Sequence, residues 1–182
     1  MFDKFKAKAE GVSAEVFRFV SRESALEFIQ KFFQQEEVSD APGSYAVWAD
    51  SPFRSGINRE KLLKMPGVKL DVTRELAAAS KVGVSEMEWG IADTGTLVQD
   101  SFLAEQRLVS SLPLIHIALL PTKNIQPDLA TLLLKVHPSK AGYIAMITGA
   151  SRTADIERVL TIGVHGPERL IIVCIDELGG VN

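Results

Sequence analysis

The sequence predicts an α/β fold with a mainly parallel sheet and helices on both faces of that sheet. Near-continuous apolar runs at 114–120, 143–147 and 170–175 are typical of strands that are buried on both sides. Two segments with apolar residues at helical spacing, 128–136 and 153–162, separate these runs. The resulting order of strand, helix, strand, helix, strand is the pattern of right-handed βαβ units.

The first half of the chain predicts shorter elements in a similar alternation. Residues 1–11 are charged and predict either an exposed helix or a flexible arm. Alternating or continuous apolar residues predict strands at 14–20, 45–49, 69–72, 84–91 and 97–98. Capping residues and apolar stripes predict a helix that opens at Ser21 and is broken at 39–43, and further helices at 58–64, 74–81 and 101–110.

Length and composition predict one globular domain over residues 1–182. The chain is 46 % hydrophobic and 24 % charged, which is ordinary for a globular protein. Its 20 Lys and Arg residues against 23 Asp and Glu residues argue against a basic surface for nucleic acid. We expect no membrane span, because no apolar stretch is long enough for one. The first residues also lack the apolar core of a secretory signal, so we expect a cytoplasmic protein.

Cysteine and histidine usage predicts no metal and no cofactor in this chain. Cys174 is the only cysteine, and one thiol cannot build an iron–sulfur cluster or a Cys-rich zinc site. The three histidines show no metal-ligand spacing. Cys174 and His116 both lie inside apolar runs, so we predict that both are buried core residues.

The loop at 148–153 is the first candidate ligand site. It follows a predicted strand and enters a predicted helix, whose first N–H groups would face the loop. Gly149 allows close approach of a ligand, Ser151 and Thr153 offer hydroxyls, and Arg152 offers a planar fork for a carboxylate or phosphate. Ordinary helix capping explains the same residues.

The turn at 93–96 is the second candidate. Gly95 lies between Thr94 and Thr96, and such a turn can aim backbone N–H groups at an anion. A plain β-turn explains the same residues, with Asp93 bonded to its own backbone and Gly95 at positive φ.

Three side chains are candidates for catalysis, namely Glu88, Asp93 and His165. Glu86 and Glu88 would share one face of the strand predicted over 84–91, and either could act as an acid or base if it were buried with a raised pKa. A solvated strand face also explains these acidic residues and is the interpretation that the residue types favour. His165 precedes the last predicted strand, so topology places it at the amino end, away from the edge where such sheets bind ligands.

Several motifs between residues 80 and 176 resemble the LUD domain, in its lactate utilization protein C branch. They are Ile-Ala-Asp-Thr-Gly-Thr-Leu-Val at 91–98, Arg107 with Ser-Leu-Pro at 111–113, His-Ile-Ala at 116–118, Thr-Gly-Ala-Ser-Arg-Thr-Ala-Asp-Ile-Glu at 148–157 and Gly-Val-His-Gly-Pro at 163–167. Two positions depart from the family pattern. Ala150 stands where proline is usual, and Asp93 stands where glutamate is common.

The resemblance implies a fold like that of the group containing glucosamine-phosphate deaminase, ribose-phosphate isomerase and CoA transferase. It also implies a role in oxidising L-lactate to pyruvate beside two iron–sulfur partner subunits, which would hold the clusters. On this basis we expect the chain to bind a small anionic ligand between the loops at 93–96 and 149–153.

Two other functions stay open. One is a stand-alone sugar-phosphate isomerase or acyl- or CoA-transferase-like enzyme, with Glu86, Glu88 or Asp93 as base or nucleophile. The other is a non-catalytic adaptor, which predicts no ligand and tolerance of Arg152→Ala. A stand-alone enzyme predicts turnover without partners. The oligomeric state also stays open, a homo-oligomer included.

Overall fold

The computed structural model describes residues 1–136, 143–153, 161–162 and 165–178. The strands in this part of the chain are β1 (Ala14–Phe19), β2 (Tyr45–Trp48), β3 (Val68–Lys69), β4 (Ser80–Glu86), β5 (Trp89–Ile91), β6 (Thr96–Asp100), β7 (Ile115–Pro121), β8 (Ile125–Gln126), β9 (Ile144–Ile147), β10 (Arg152–Thr153), β11 (Thr161–Ile162) and β12 (Arg169–Ile175). The helices are α1 (Phe2–Gly11), α2 (Arg22–Gln35), α3 (Pro52–Ser55), α4 (Arg59–Leu63), α5 (Arg74–Ala78), α6 (Ala104–Ser111) and α7 (Leu129–Leu133), with a 3-10 turn at Thr122–Asn124.

Six parallel strands form the main sheet, in the order β1, β12, β7, β4, β2, β3. The strands β7 and β12 are buried on both faces. Ile117 and Leu119 point to one face, while Ala118 and Leu120 point to the other, and all four are fully buried. This is why their sequences are continuous apolar runs rather than alternating ones.

The first face of the sheet is covered by α2, α3 and α4. Helix α2 begins after Ser21, whose hydroxyl accepts a hydrogen bond from the backbone N–H of Ser24. Its buried side chains pack on the sheet together with Phe53 of α3 and Leu62 of α4. The N-terminal cap and the apolar stripe predicted from the sequence therefore produce this helix as expected.

The second face is covered by α1, α5, α6 and a smaller sheet. Phe5 and Ala9 of α1 are fully buried against this face, so the segment at 1–11 is a docked helix. The smaller sheet has the order β8, β5, β6, β9. Leu97 of β6 is fully buried in the layer between the two sheets. The predicted α/β class, with helices on both faces of a parallel sheet, is confirmed.

Three predicted elements differ from the structure. The strand predicted over 84–91 divides, because β4 ends at Glu86 and β5 belongs to the smaller sheet. The run at 143–147 is not a central parallel strand. It forms β9, which pairs antiparallel with β6 and leaves Met146 48 % exposed. An apolar run of four or five residues does not distinguish a doubly buried strand from a strand packed on one side only.

The helix predicted over 153–162 is wrong at both ends. Arg152 and Thr153 form β10, which pairs antiparallel with Thr161 and Ile162 of β11, and residues 154–160 lie outside the described chain.

In the described ranges, no helix is long and apolar enough to cross a membrane.

An ion-pair network joins four elements at the amino ends of the main-sheet strands. Arg169 at the start of β12 donates hydrogen bonds to Glu15 (2.9 Å) and Glu36 (2.6 Å), and Lys81 of β4 lies 3.1 Å from the carboxylate of Glu36. Burial alone would raise the pKa of Glu36, but the hydrogen bonds from Lys81 and Arg169 outweigh it and hold the pKa below its usual value. The network thus links β1, β4, β12 and the end of α2.

Two glycines, Gly95 and Gly149, allow α1 and the loop after it to pack closely against the backbone at these two positions. Gly95 has φ +70°, and a Cβ there would lie closer than 3.0 Å to the backbone nitrogen of Ala9. Gly149 also has φ +70°, and a Cβ there would lie closer than 3.0 Å to the carbonyl oxygen of Val12. Both positions need glycine for the backbone conformation and for the close contact.

We predict that Gly95→Ala destabilises the protein more than Gly43→Ala. Gly43 also has positive φ, at +87°, but a Cβ there would meet nothing within 4 Å. Both variants should lose about 1–2 kcal/mol for a left-handed non-glycine residue. Only Gly95→Ala should lose roughly 1–3 kcal/mol more, through overpacking against α1. Chemical denaturation measures both losses, and equal losses would show that the contact with α1 carries no weight.

Candidate functional site

The structure brings the two predicted loops together through a chain of hydroxyl groups. The hydroxyl of Thr96 lies 2.7 Å from that of Thr94 and 2.8 Å from that of Thr148, and both pairs are hydrogen bonded. Thr96 is buried, whereas Thr94 and Thr148 are exposed. The turn at 93–96 and the start of the loop at 148–153 are therefore one continuous polar surface, as the expected ligand site requires.

Ser151 connects this surface to the segment that contains His165. The backbone N–H of Ser151 donates to the carbonyl of Pro167 (2.9 Å), and the backbone N–H of His165 donates to the hydroxyl of Ser151 (3.3 Å). His165 is exposed. We call Thr94, Thr96, Thr148, Ser151 and His165 the hydroxyl cluster.

The hydroxyl cluster lies near the amino ends of the main-sheet strands. Pro167 lies two residues before the start of β12, and Gly149 packs on Val12, which lies two residues before the start of β1. The expectation that loop 148–153 lies at the carboxyl edge is therefore wrong, because β9 is a strand of the smaller sheet. His165 lies at the amino end of the last strand, as its place in the sequence predicted.

Gly95 and Gly149 do not make room for a ligand in this structure. The space beside each glycine is filled by the backbone of α1 or of the loop after it. Asp93 is exposed and forms an ion pair with Lys4, which belongs to α1. The backbone beside Gly95 and Gly149 and the carboxylate of Asp93 are therefore already in contact with other parts of the chain, whereas the sequence suggested that they face a ligand.

The predicted roles of Arg152 and Thr153 assumed that a helix begins at Thr153, which the structure does not show. Their backbones belong to β10, so no helix begins at Thr153, and residues 154–160 lie outside the described chain. Within residues 148–153, which contain no helical turn, an anion would be held by side chains. Whether Arg152 and Thr153 bind a ligand stays a prediction.

Glu88, the remaining catalytic candidate, lies apart from the hydroxyl cluster, between the main sheet and the smaller one. Its Oε2 accepts a hydrogen bond from the backbone N–H of Asp100 (2.9 Å). Burial raises the pKa of Glu88 to about 7, and the negative charges of Asp100 and Glu86 add to the rise. A carboxyl group with this pKa can donate or accept a proton near neutral pH.

Glu86 lies at the carboxyl end of β4 and faces α3. The backbone N–H of Phe53 donates to its Oε2 (2.8 Å). Burial raises the pKa of Glu86, although hydrogen bonds from Phe53 and Ser51 and the positive charge of Arg22 act against the rise. Glu86 and Glu88 therefore do not share one solvated strand face, which corrects the sequence interpretation.

Two buried amide side chains hold the backbone that carries these carboxyl groups. The side-chain amide of Gln99 donates to the carbonyl of Glu86 (2.7 Å), and that of Asn124 donates to the carbonyl of Glu88 (2.7 Å). Gln99 is fully buried and also accepts a hydrogen bond from the hydroxyl of Ser101 (2.8 Å). The sequence analysis missed both amides, whose only signal was a polar residue within an otherwise apolar stretch.

The two other groups with nucleophilic or basic character are core residues. His116 is fully buried, its Nε2 lies 2.9 Å from the hydroxyl of Ser85, and burial lowers its pKa to about 3. Cys174 is also fully buried, and burial raises the pKa of its thiol to about 12. Their predicted place in the core is confirmed. Among the described side chains, no three of the types His, Cys, Asp or Glu are grouped so that they could hold a metal ion.

A family model and several curated proteins match this chain. The model of the LUD domain matches residues 2–175. Lactate utilization protein C of Exiguobacterium sp. is 35% identical over 115 residues, which cover 59% of this chain and 50% of that protein. Lactate utilization protein C of Halalkalibacterium halodurans is 31% identical over 109 residues, which cover 57% and 47%. The chain spans about half the length of these curated relatives.

A solved structure matches over almost the whole chain. It is the crystal structure of a DUF162 family protein from Deinococcus radiodurans, with a TM-score of 0.67. The match covers 96% of this chain and 95% of that chain, at 18% sequence identity. At this identity the likeness shows a shared fold and nothing about chemistry.

We predict that Glu88→Gln stabilises the protein at alkaline pH and has little effect at low pH. The pKa of Glu88 is raised in the folded state from an ordinary value of 4.5 to about 7. The folded state therefore binds the proton more tightly, and the stability that this provides is lost as pH rises from about 4.5 through 7. Glutamine avoids the buried charge and keeps an oxygen for Asp100. We expect a gain of about 1–3 kcal/mol above pH 7.5.

Unfolding by urea between pH 4.5 and 8.5 measures this difference. Glu27→Gln on the exposed side of α2 is the matched control and should show no such trend. A constant difference between Glu88→Gln and the wild type across this range would contradict the raised pKa.

Proposed function

The chain belongs to the LUD domain family, and on that premise we propose that it is a component of an L-lactate oxidation system. The observation that carries the proposal is the family match over residues 2–175, together with relatives named lactate utilization protein C at up to 35% identity. Those names apply to the relatives, which are about twice as long as the aligned segment. Their role in lactate utilization is what we propose for this chain.

We propose that iron–sulfur partner subunits supply the electron acceptor. Oxidation of lactate to pyruvate removes two electrons and two protons, so a redox group must take part. The sequence has a single cysteine, and a cluster requires several thiolate ligands. That cysteine, Cys174, is buried inside β12. The chain itself would then contribute ligand binding or organisation of the complex.

We further propose that the hydroxyl cluster binds a small anion such as a carboxylate. Thr94 and Thr148 are exposed and both are hydrogen bonded to the hydroxyl of Thr96, and the hydroxyl of Ser151 accepts a hydrogen bond from the backbone N–H of the exposed His165. Hydroxyl and imidazole groups can donate hydrogen bonds to a carboxylate. The loop order in the sequence adds Arg152 next to Ser151 as a candidate cation.

Glu88 favours a second candidate function, a stand-alone enzyme that uses acid–base chemistry. Its pKa of about 7 suits proton transfer, and two buried amides hold the surrounding backbone in place. An isomerase or an acyl- or CoA-transferase-like enzyme would use such a group on its own substrate, without a redox partner.

We predict that L-lactate or pyruvate raises the melting temperature of the wild-type protein, and that Thr148→Val and Ser151→Ala each reduce this effect. Loss of one hydrogen bond should weaken binding about fivefold. Ser110→Ala on α6 is the control, because the hydroxyl of Ser110 donates to the carbonyl of Arg107 and to no member of the cluster. If all three variants respond like the wild type, the hydroxyl cluster does not bind the anion.

We also predict that the chain needs partners for lactate oxidation. Deletion of the gene should abolish growth on L-lactate as the carbon source in a strain without another lactate oxidase. The purified chain should not oxidise lactate until iron–sulfur subunits encoded beside it are added. Normal growth of the deletion strain would refute the lactate assignment. Oxidation by the chain alone would refute the need for partners, and turnover of a sugar phosphate or acyl-CoA would favour the second candidate.

A further inference from the structure

A crevice of about 270 Å³ lies beyond the carboxyl ends of β2 and β3, at the edge of the main sheet that is farthest from β1. Asp50 and Leu70, which follow these two strands, line it together with Arg54, Arg59 and Leu62. We call it the arginine crevice. It belongs neither to the hydroxyl cluster nor to the surroundings of Glu88.

The chain connections around these two strands explain why a crevice opens there. The connection that leaves β2 packs on the first face of the sheet, where Phe53 and Leu62 meet Trp48. The connection that leaves β3 packs on the second face, where Ala77 meets Val47. Where neighbouring parallel strands send their connections to opposite faces, a gap forms at their carboxyl ends, and open α/β sheets bind ligands in such gaps.

Arg54 is fixed across this gap. Its Nη1 donates hydrogen bonds to the carbonyl of Trp48 (2.6 Å) and to the carbonyl of Leu70 (3.0 Å), so both hydrogens of this nitrogen are used by the ends of the two strands. The opposite edge of the guanidinium carries Nε and Nη2. Nη2 lies 2.9 Å from the carboxylate of Asp50, and Nε donates no hydrogen bond within the described chain. This edge is the planar fork that binds carboxylate and phosphate groups.

Arg59 supplies a second positive charge to the same crevice. It is the first residue of α4, it is exposed, and its side chain has no hydrogen bond or ion pair with any residue of the described part. Asp50 is the only negative charge among the residues that line the crevice, and its side chain is 58% exposed. The crevice therefore has an excess of positive charge, and its internal carboxylate can turn away into solvent.

We propose that the arginine crevice binds a small oxyanion, a carboxylate or a phosphate, between the guanidinium groups of Arg54 and Arg59 and in place of the Asp50 carboxylate. Its volume admits a molecule of a few heavy atoms. Asp50 shows the geometry, because its carboxylate already lies beside Nη2 of Arg54. The proposal does not depend on a role in lactate oxidation.

The test compares three variants with the wild-type protein. Arg59→Gln removes the free charge, Asp50→Asn removes the competing carboxylate, and Lys61→Gln changes a neighbouring exposed charge on α4 that does not line the crevice. Sodium phosphate and sodium L-lactate are titrated separately at constant ionic strength, which is adjusted with sodium chloride. Amide chemical shifts of residues 50–59 report the dissociation constant. All altered side chains are exposed, and melting curves verify that the variants are folded.

We expect Arg59→Gln to weaken binding by about two- to fivefold and Asp50→Asn to strengthen it by roughly the same factor, since each changes one solvent-facing charge interaction. Lys61→Gln should bind like the wild type. Saturation by phosphate alone or by lactate alone identifies which oxyanion the crevice prefers. The proposal is overturned if neither anion saturates, if chloride alone produces the same shifts, or if Arg59→Gln and Lys61→Gln change the affinity equally. Variants in the hydroxyl cluster should leave these affinities unchanged.

Discussion

Burial of β7 and β12 on both faces is the constraint on which the rest of the structure depends. Their side chains point alternately to two apolar layers, and neither layer can face water. The first layer is closed by α2, α3 and α4. The second is closed by α1 and by the smaller sheet.

The covering of the second face explains why the glycine turns do not hold a ligand. Phe5 and Ala9 must reach the apolar layer, so α1 lies directly on the turn at Gly95, and the loop after α1 lies directly on Gly149. The close backbone approach that glycine permits is therefore used for packing within the chain. What stays open beside these turns is a row of hydroxyl groups, which have hydrogen-bonding capacity but no fixed positive charge.

The sequence predicted the elements whose burial is unambiguous and failed where burial is one-sided. Continuous apolar residues identified β7 and β12, and Ser21 with the stripe behind it identified α2. The run at 143–147 looked the same but forms an edge strand, because apolar content does not say which sheet a strand joins. That error moved the loop at 148–153 from the amino edge to the carboxyl edge. A ligand between the loops at 93–96 and 149–153 was expected, but the contact between Thr96 and Thr148 was not predicted, because 52 residues separate them. The hydrogen bonds from Gln99 and Asn124 to the backbone of Glu86 and Glu88 are tertiary contacts that no local sequence pattern predicts.

The distribution of unpaired polar atoms distinguishes the two edges of the main sheet. At the amino edge, Arg169, Glu15, Glu36 and Lys81 satisfy one another. Five buried side-chain atoms of the described chain lack a hydrogen-bond partner, and three of them belong to residues that end or follow main-sheet strands, namely Nε of Arg22, Nε1 of Trp48 and Oγ1 of Thr122. Oδ1 of Asp100 lies at the end of β6 in the smaller sheet, and Nδ1 of His116 lies near the amino end of β7. Buried polar atoms are normally paired, so a concentration of unpaired ones costs stability that packing elsewhere must offset. The carboxyl edge therefore holds more of the unpaired buried polar atoms than the amino edge, and it also carries the carboxyl group of Glu88 and the arginine crevice.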